Sequence, residues 1–244
     1  MFQYLVDFAV GFAIGILAGL FGVGGGFLIV PTLIVMGLPV HTAIGTSLAC
    51  ITISSLSSAY THIRRGAVIY KVVLVKEAFS VPFAVVGAYI SSFLPENILR
   101  AIFTFLLIYL SYRLVMERKR TCGEDAFEVN YRRVPVVGIL AGLTSGLLGI
   151  SGGVLNVPLF HTYIGLPMRY SVGTSSLSLF FTALAGTVGH YRLGQVSLST
   201  ALLLAPGLIA GAHVGARTAH SINPARIRLG FAVILIAVAL KLLL

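Results

Sequence analysis

The chain has 244 residues, of which 57% are hydrophobic and 10% charged, and its formal net charge is +10. A mean hydropathy of +0.99 excludes an ordinary soluble domain, whose surface needs more charge, and predicts an integral membrane protein. Lys and Arg collect at the ends of apolar segments, as membrane topology requires, so a nucleic-acid partner is not expected. The first residues, "MFQYLVDFAV", show no basic region ahead of an apolar run, which disfavours a cleaved signal peptide.

Apolar segments follow one another along the chain, most of them about as long as the 20 residues that a bilayer-spanning helix needs. They lie at 4–36, 42–61, 72–93 and 98–116, and then at 134–164, 170–190, 197–217 and 225–244. One extended polar stretch separates the two groups. The sequence therefore predicts an all-α membrane protein with a first membrane repeat at 1–116, a cytoplasmic linker at 117–133 and a second membrane repeat at 134–244.

The two groups of segments repeat one sequence. "AGLFGVGGGFLIVP" (18–31) matches "SGLLGISGGVLNVP" (145–158), and "GLP" and "GTS" follow each of them in the same order. Further along, His62 pairs with His190 and Gly66 with Gly194. Internal duplication of a membrane bundle is characteristic of secondary transporters.

Positive charge changes sides between the repeats, and Lys and Arg mark the cytoplasmic side. The loop after the second segment is basic in the first repeat, whereas in the second repeat it is the next loop that is basic. The repeats are therefore predicted to be inverted, which requires an odd number of crossings in each. A long first segment that breaks at its glycines and returns as a helical hairpin, followed by three transmembrane helices, meets this requirement.

The hairpin arrangement also sorts the basic residues better than eight alternating spans do. It puts fourteen of them on the cytoplasmic side, including Lys76 as a loop residue, and leaves three outside, whereas strict alternation gives twelve and five. Both termini are then predicted to face outside. The three residues left outside are Arg100, Arg192 and Lys241.

The two breaks are predicted to bind substrate. Irregular backbone at membrane depth is tolerated only inside protein or along a water-filled cavity, and glycine lets a substrate approach the main chain. A half-helix that starts near Gly25 or Gly152, with Pro31 or Pro158 behind it, would turn free N–H groups toward an anion. Close helix packing is the alternative role of these glycines. The candidate binding residues at the breaks are Gly24, Gly25, Gly26, Ser151, Gly152, Gly153 and Asn156.

Hydroxyl groups follow each break at matching positions. Thr46 and Ser47 in the first repeat, and Thr174 and Ser175 in the second, are candidate donors to the oxygens of an anion. The alternative is that they hold helices together by hydrogen bonds.

Two histidines, His62 and His190, close the following spans. They are candidates for proton relay or gating, with an interfacial or structural role as the alternative.

Few residues in the apolar segments offer other chemistry. The acidic residues Asp7 and Glu77 lie near the ends of predicted segments, which argues against a cation pump built on buried carboxylates and favours an anionic substrate. Cys50 is expected to be buried, and Cys122 lies in the linker, so no disulfide framework is predicted. No spacing of Cys and His resembles a metal site.

These motifs resemble the TauE/SafE family of membrane permeases, also called the sulfite exporter or TSUP family. The resemblance rests on "GLFGVGGGFLIVP", "GLP" and "GTS", on "GLLGISGGVLNVP", "GLP" and "GTSS", and on "HYRLGQV", and it covers nearly the whole chain. It implies a multi-pass protein of a prokaryotic plasma membrane that transports small anions, prominently sulfite, sulfoacetate and related organosulfur compounds. Ser151 in place of Gly24 and Arg169 in place of His41 distinguish the second repeat, so the hairpins need not contribute equally.

We therefore predict a secondary transporter that moves a small sulfur-containing anion by alternating access, without a cofactor. "GVGGG" lacks the Gly-Lys-Ser/Thr ending of a phosphate loop, so gradients must supply the energy. The alternatives are a transporter of a different small anion or a metal, and a membrane enzyme acting on a sulfur compound. No catalytic arrangement is recognisable, so an enzyme is not expected. The expected partners are the small anionic substrate and the lipid bilayer, and the oligomeric state stays open.

Overall fold

The computed structural model of the chain describes residues 2–21, 26–116, 129–150, 153–218, 230, 233 and 235–241. Within these ranges the secondary structure is entirely helical. The helices are α1 (Phe2–Phe21), α2 (Gly26–Val35), α3 (Val40–Arg64), α4 (Tyr70–Phe93), α5 (Glu96–Met116), α6 (Val134–Leu148), α7 (Gly153–Leu159), α8 (Met168–Arg192) and α9 (Leu198–Thr218). A 3-10 turn, Tyr131–Arg133, precedes α6, and a π-helical turn, Phe160–Ile164, continues α7.

Three of the described helices, α3, α4 and α8, are long and apolar enough to cross a membrane. Large apolar side chains such as Leu74, Phe93 and Phe105 are exposed on the outside of the bundle, where a soluble protein would carry charge. An outer surface of this kind is suited to lipid, and the chain is an integral membrane protein, as its composition predicts.

One helix ends and another begins at each predicted break. α1 ends at Phe21 and α2 begins at Gly26, while α6 ends at Leu148 and α7 begins at Gly153. The predicted segments 4–36 and 134–164 are therefore not single helices. α2 has 10 residues, and at 1.5 Å per residue it extends about 15 Å, roughly half of the hydrocarbon core of a bilayer.

The main helix pairs join helices that are not neighbours in the sequence. α1 packs on α9, α6 packs on α4, and α3 packs on α8. Glycines allow the first two pairs to approach closely: a Cβ at Gly15 would collide with the carbonyl oxygen of Leu208, and a Cβ at Gly142 would collide with that of Ser80. Gly15 and Gly142 occupy matching positions in the repeated sequence, so the α1–α9 and α6–α4 contacts use the same small residue.

Replacing Gly142 with valine is expected to separate α6 from α4 and to destabilise the protein by about 1–3 kcal/mol, because a packed backbone gives way only with strain. Leu140→Val is the matched control, since Leu140 faces outward on the same helix. The thermal unfolding of both variants in detergent would measure the effect. Equal midpoints for the two variants would contradict this packing.

Contacts between side chains define how the central helices run relative to one another. The side chain of Leu48 lies against Gly186, and Ser58 Oγ is 3.3 Å from Ser176 Oγ, so α3 and α8 are antiparallel. Lys76 Nζ is 2.9 Å from Thr182 Oγ1 and Ala88 lies against Gly189, so α4 and α8 are parallel.

The described part of the linker is short. Residues 117–128, with Cys122, lie outside the described ranges. The N–H of Asn130 donates a hydrogen bond to the carbonyl oxygen of Ile164, at the end of the π-helical turn, over 3.3 Å. α6 begins at Val134, the first residue of the predicted second repeat. The division into repeats and linker stays a prediction.

Candidate functional site

The structure describes part of the predicted break residues. Gly24, Gly25, Ser151 and Gly152 lie outside the described ranges. Gly26 is the first residue of α2 and Gly153 is the first residue of α7. The helix starts thus lie one residue beyond Gly25 and Gly152, near which the sequence predicted them.

Three buried side chains lie on the helices around the second break. They are Ser145 on α6, Asn156 on α7 and Ser175 on α8, and none is more than 1% exposed. The Asn156 side-chain amide and both serine hydroxyls have no hydrogen-bond partner within the described ranges. α7 packs on α8, and α6 contacts both helices. Ser145 follows directly before Gly146, whose carbonyl oxygen bonds to His190, and His190 is 15 residues along α8 from Ser175, about 22 Å at 1.5 Å per residue. Ser145 is therefore too far from Ser175 to share a small ligand with it. We call the other two residues, Asn156 and Ser175 on the packed helices α7 and α8, the polar cluster.

A buried polar group without a hydrogen-bond partner lowers the stability of a folded protein by about 1–3 kcal/mol. The polar cluster is therefore destabilising unless a ligand bonds to it. A hydroxyl and an amide N–H₂ supply hydrogen-bond donors, which are the groups that bind the oxygens of an oxyanion. The cluster can therefore offer hydrogen bonds to a small polar ligand where α7 packs on α8.

The polar cluster belongs to the second repeat alone. The first repeat has Ile29 at the position of Asn156. Ser47, at the position of Ser175, is 3.0 Å from the carbonyl oxygen of Gly149 and donates to it. Sequence analysis identified both Asn156 and Ser175 as candidates.

The two threonines of the Gly-Thr-Ser motifs bind backbone at the starts of other helices. The N–H of Ser197, just before α9, donates to Thr46 Oγ1 at 3.0 Å, and the N–H of Ile69, just before α4, donates to Thr174 Oγ1 at 3.1 Å. Each hydroxyl thereby satisfies an N–H that the first turn of a helix leaves unpaired. Thr46, Thr174 and Ser47 thus have structural partners, which favours the alternative that they hold helices together, whereas Ser175 has none among the described residues.

His190 joins α8 to α6. The ring is buried, with Nε2 2.8 Å from the carbonyl oxygen of Gly146 and Nδ1 2.8 Å from the side-chain oxygen of Gln195. Since a carbonyl oxygen only accepts, Nε2 carries a proton, and a neutral ring then needs the amide N–H₂ of Gln195 turned toward Nδ1. These contacts favour the structural alternative for His190. His62 is partly buried at the matching end of α3, with Ala67 in the place of Gln195, and a relay role for either histidine stays a prediction.

The interpretation of Glu77 as a residue near a segment end, and of Lys76 as a loop residue, was wrong. Both lie within α4, where Lys76 is 0% and Glu77 is 8% exposed. Lys76 Nζ is 2.8 Å from Glu77 Oε1, so the two charges neutralise each other inside the protein. A hydropathy profile scores each charged residue as if it had no partner, so it predicts the residue at the end of a membrane segment. Two opposite charges that pair can instead be buried inside the protein.

Hydroxyl groups complete the surroundings of this ion pair. Ser178 donates to Glu77 Oε1, and Thr182 Oγ1 lies 2.9 Å from Glu77 Oε2 and 2.9 Å from Lys76 Nζ. Ser80 Oγ is 3.0 Å from Thr182 Oγ1. We call Lys76, Glu77, Ser80, Ser178 and Thr182 the charge cluster. Sequence analysis missed all five, although adjacent Lys and Glu inside an apolar segment were a visible signal.

The polar cluster and the charge cluster adjoin on α8. Ser175 and Ser178 are three residues apart, and residues at this spacing share one face of a helix. The rise between them is about 4.5 Å at 1.5 Å per residue. The two clusters together therefore place uncharged donors beside a buried pair of opposite charges.

No group of three or more His, Cys, Asp and Glu that could hold a metal ion occurs among the described residues. Cys50 is buried, and its Sγ lies 3.9 Å from the carbonyl oxygen of Ala201.

Comparison with known proteins gives a consistent set of matches. The family model described as "Sulfite exporter TauE/SafE" matches residues 7–242. The probable membrane transporter protein YdhB of Bacillus subtilis is 34% identical, over 84% of this chain and 86% of its own. The probable membrane transporter protein YunE of the same organism is 30% identical over 99% and 97%, and one from Haemophilus influenzae is 29% identical over 100% of both chains. No solved structure matches the chain.

Proposed function

Because the chain belongs to the sulfite exporter TauE/SafE family, we propose that it is a secondary transporter that moves a small sulfur-containing anion by alternating access. The resemblance stated from the sequence is thereby confirmed, and the protein is a membrane transporter like the relatives it matches. The proposed substrate class is sulfite, sulfoacetate or a related organosulfur anion, and the proposed location is the plasma membrane of a prokaryote.

One observation carries the choice of an anion, namely the unpartnered donors of the polar cluster. Asn156 and Ser175 supply N–H and O–H groups whose hydrogen bonds an oxyanion can accept. A metal or other cation would need free carboxylates, whereas the carboxylate of Glu77 is already bonded to Lys76, Ser178 and Thr182. We therefore propose the polar cluster, with the break residues Gly152 and Gly153, as the substrate site.

The helix directions support the proposal that the repeats are inverted. If eight spans crossed the membrane alternately, α3 and α8 would be parallel and α4 and α8 antiparallel. The observed directions are the reverse, as expected when each repeat contains a hairpin and three further crossings. Removing Lys76 from the cytoplasmic set leaves thirteen basic residues there against three outside, which still favours the hairpin arrangement.

Reconstitution into sealed liposomes tests the function. Purified protein is expected to exchange radiolabelled sulfite across the membrane without altering it, and unlabelled sulfoacetate is expected to compete better than acetate or phosphate. Liposomes without protein are the control. Chemical conversion of sulfite in detergent solution would support the alternative of a membrane enzyme, and exchange of metal ions alone would support a metal transporter.

The proposed topology predicts that Cys122 is cytoplasmic. With Cys50 replaced by alanine, Cys122 is expected to resist a membrane-impermeant maleimide in intact cells and to react after the cells are permeabilised. A Gln3→Cys variant without the two native cysteines should react in intact cells, because the N-terminus is proposed to lie outside. If the Gln3→Cys residue and Cys122 both resist the reagent in intact cells, the N-terminus and the linker lie on the same side and the inverted arrangement is overturned.

A further inference from the structure

We propose that the charge cluster is the coupling site of the transporter: Glu77 takes up one proton, and Lys76 then pairs with the transported anion. The inference rests on the proposed function and adds the coupling ion to it. It assigns a role to five side chains that lie outside the predicted substrate site.

The fold itself does not require this ion pair. α9 packs on α1 through glycines as α4 packs on α6, but residues 194–213, which include most of α9, contain no Asp, Glu, Lys or Arg. An apolar helix therefore suffices for the same packing. Ionisable residues within a membrane-spanning segment are costly and usually mark a transport or proton pathway, so a pair present in one repeat only points to function.

The step proposed for the pair balances in charge. When the Glu77 carboxylate binds a proton, its charge changes from −1 to 0, and the Lys76 ammonium is left without a counter-charge. A monovalent anion then restores neutrality by binding to Lys76, and release of the anion and the proton on the other side regenerates the ion pair. One proton and one monovalent anion cross together, and no net charge moves.

The hydroxyls of the charge cluster suit this exchange of partners. Ser178 and Thr182 bond to the carboxylate, and a hydroxyl rotates to donate to whichever oxygen is charged. Ser178 also lies one turn of α8 from Ser175 of the polar cluster. An anion held at the polar cluster is therefore close to the pair whose charge it would replace.

Lys76 is the charged group that faces Glu77. Among the described residues, the hydrogen bonds to Glu77 come from Lys76, Ser178 and Thr182. α6, which packs on α4, has no titratable residue between Val134 and Leu148. The titratable residues of α4 and α8 outside the cluster lie toward the helix ends: Tyr70, Lys71, Tyr89, Arg169, Tyr170, His190, Tyr191 and Arg192.

The test compares exchange with accumulation in proteoliposomes for Glu77→Gln. The probe is the radiolabelled monovalent anion that the wild type exchanges fastest, chosen from hydrogensulfite, which is the form of sulfite below neutral pH, and methanesulfonate, so that one proton balances its charge. The wild type is expected to accumulate it up to about tenfold for each unit of an imposed pH gradient, the limit for one proton per monovalent anion. Glu77→Gln is expected to keep the exchange and lose the accumulation, because glutamine imitates the protonated acid permanently. Glu96→Gln is the acid-to-amide control and should accumulate the anion like the wild type, because the Glu96 side chain is 40% exposed and an amide oxygen can still accept from the N–H of Val40.

Two outcomes with the variant would overturn the proposal. One is a Glu77→Gln protein that still accumulates the anion in response to the pH gradient, and the other is a folded variant that neither exchanges nor accumulates it. If the variant does not fold, a pH-sensitive dye in wild-type liposomes decides: anion entry without proton entry overturns the proposal. A wild type that exchanges none of the anions would instead refute the proposed function, and the coupling role would fall with it.

Discussion

The Lys76→Met variant is expected to yield little folded protein, and the double variant Lys76→Met/Glu77→Gln is expected to restore it. Removing the ammonium leaves the Glu77 carboxylate buried without a counter-charge, which costs about 3–5 kcal/mol. A loss of that size takes much of the roughly 5–15 kcal/mol by which proteins are stable. Neutralising the second partner removes the uncompensated charge, while the amide still accepts from Ser178 and Thr182.

Size-exclusion profiles and thermal unfolding in detergent would measure this rescue. Lys71→Met is the matched control, because Lys71 is exposed near the start of the same helix, with its Nζ 4.7 Å from the centre of the Tyr131 ring. A Lys76→Met protein that unfolds at the wild-type temperature would contradict the buried ion pair. The rescued double variant, lacking both charges, should not accumulate anions in a pH gradient.

For the polar cluster, stability and binding are expected to change in opposite directions. Asn156→Ile copies the residue that the first repeat has at Ile29, and it removes two unsatisfied polar atoms from a buried position. The unliganded protein is therefore expected to gain about 1–3 kcal/mol. The anion loses a donor, so its affinity should fall about tenfold or more.

A matched pair of serine variants separates binding from packing at the same position of the two repeats. Ser175→Ala should weaken anion binding with little loss of stability, because its hydroxyl has no described partner. Ser47→Ala should destabilise the protein by about 1 kcal/mol and leave the affinity unchanged, because it removes the hydrogen bond to Gly149. Isothermal titration and thermal unfolding would measure both. Weakened binding in Ser47→Ala alone would place the site in the first repeat instead.

The positions of the helices could be predicted well from the sequence because each depends on a local apolar run. α3 extends over Val40–Arg64 where 42–61 was expected, and α4 over Tyr70–Phe93 where 72–93 was expected. The helices are longer than the predicted apolar segments because polar residues such as Arg64 continue the last turn at the membrane boundary. The breaks could be predicted as well, since clustered glycines weaken a helix wherever they occur.

The charge cluster could not be predicted in this way, because its partners are distant in sequence. Glu77 is buried only because Lys76, Ser178 and Thr182 satisfy it, and two of these belong to a helix that begins at Met168. The structural role of Thr46 could not be predicted either, because its hydrogen-bond partner, the N–H of Ser197, is distant in the sequence. Hydropathy and repeats describe what each segment prefers, whereas these contacts depend on which segments meet.

The pairing of α1 with α9 has a consequence for how the protein is made. The ribosome releases α1 well before α9, because α2 to α8 lie between them in the sequence, and it is α9 that covers the glycine face of α1, with Leu208 against Gly15. Until α9 has been synthesised, α1 lies in the lipid without this partner. The helix bundle must therefore assemble late, through contacts between distant parts of the chain. A polypeptide cut within the linker should therefore leave two fragments that are each unstable alone, while the same fragments synthesised together in one cell retain every surface they need to reassemble.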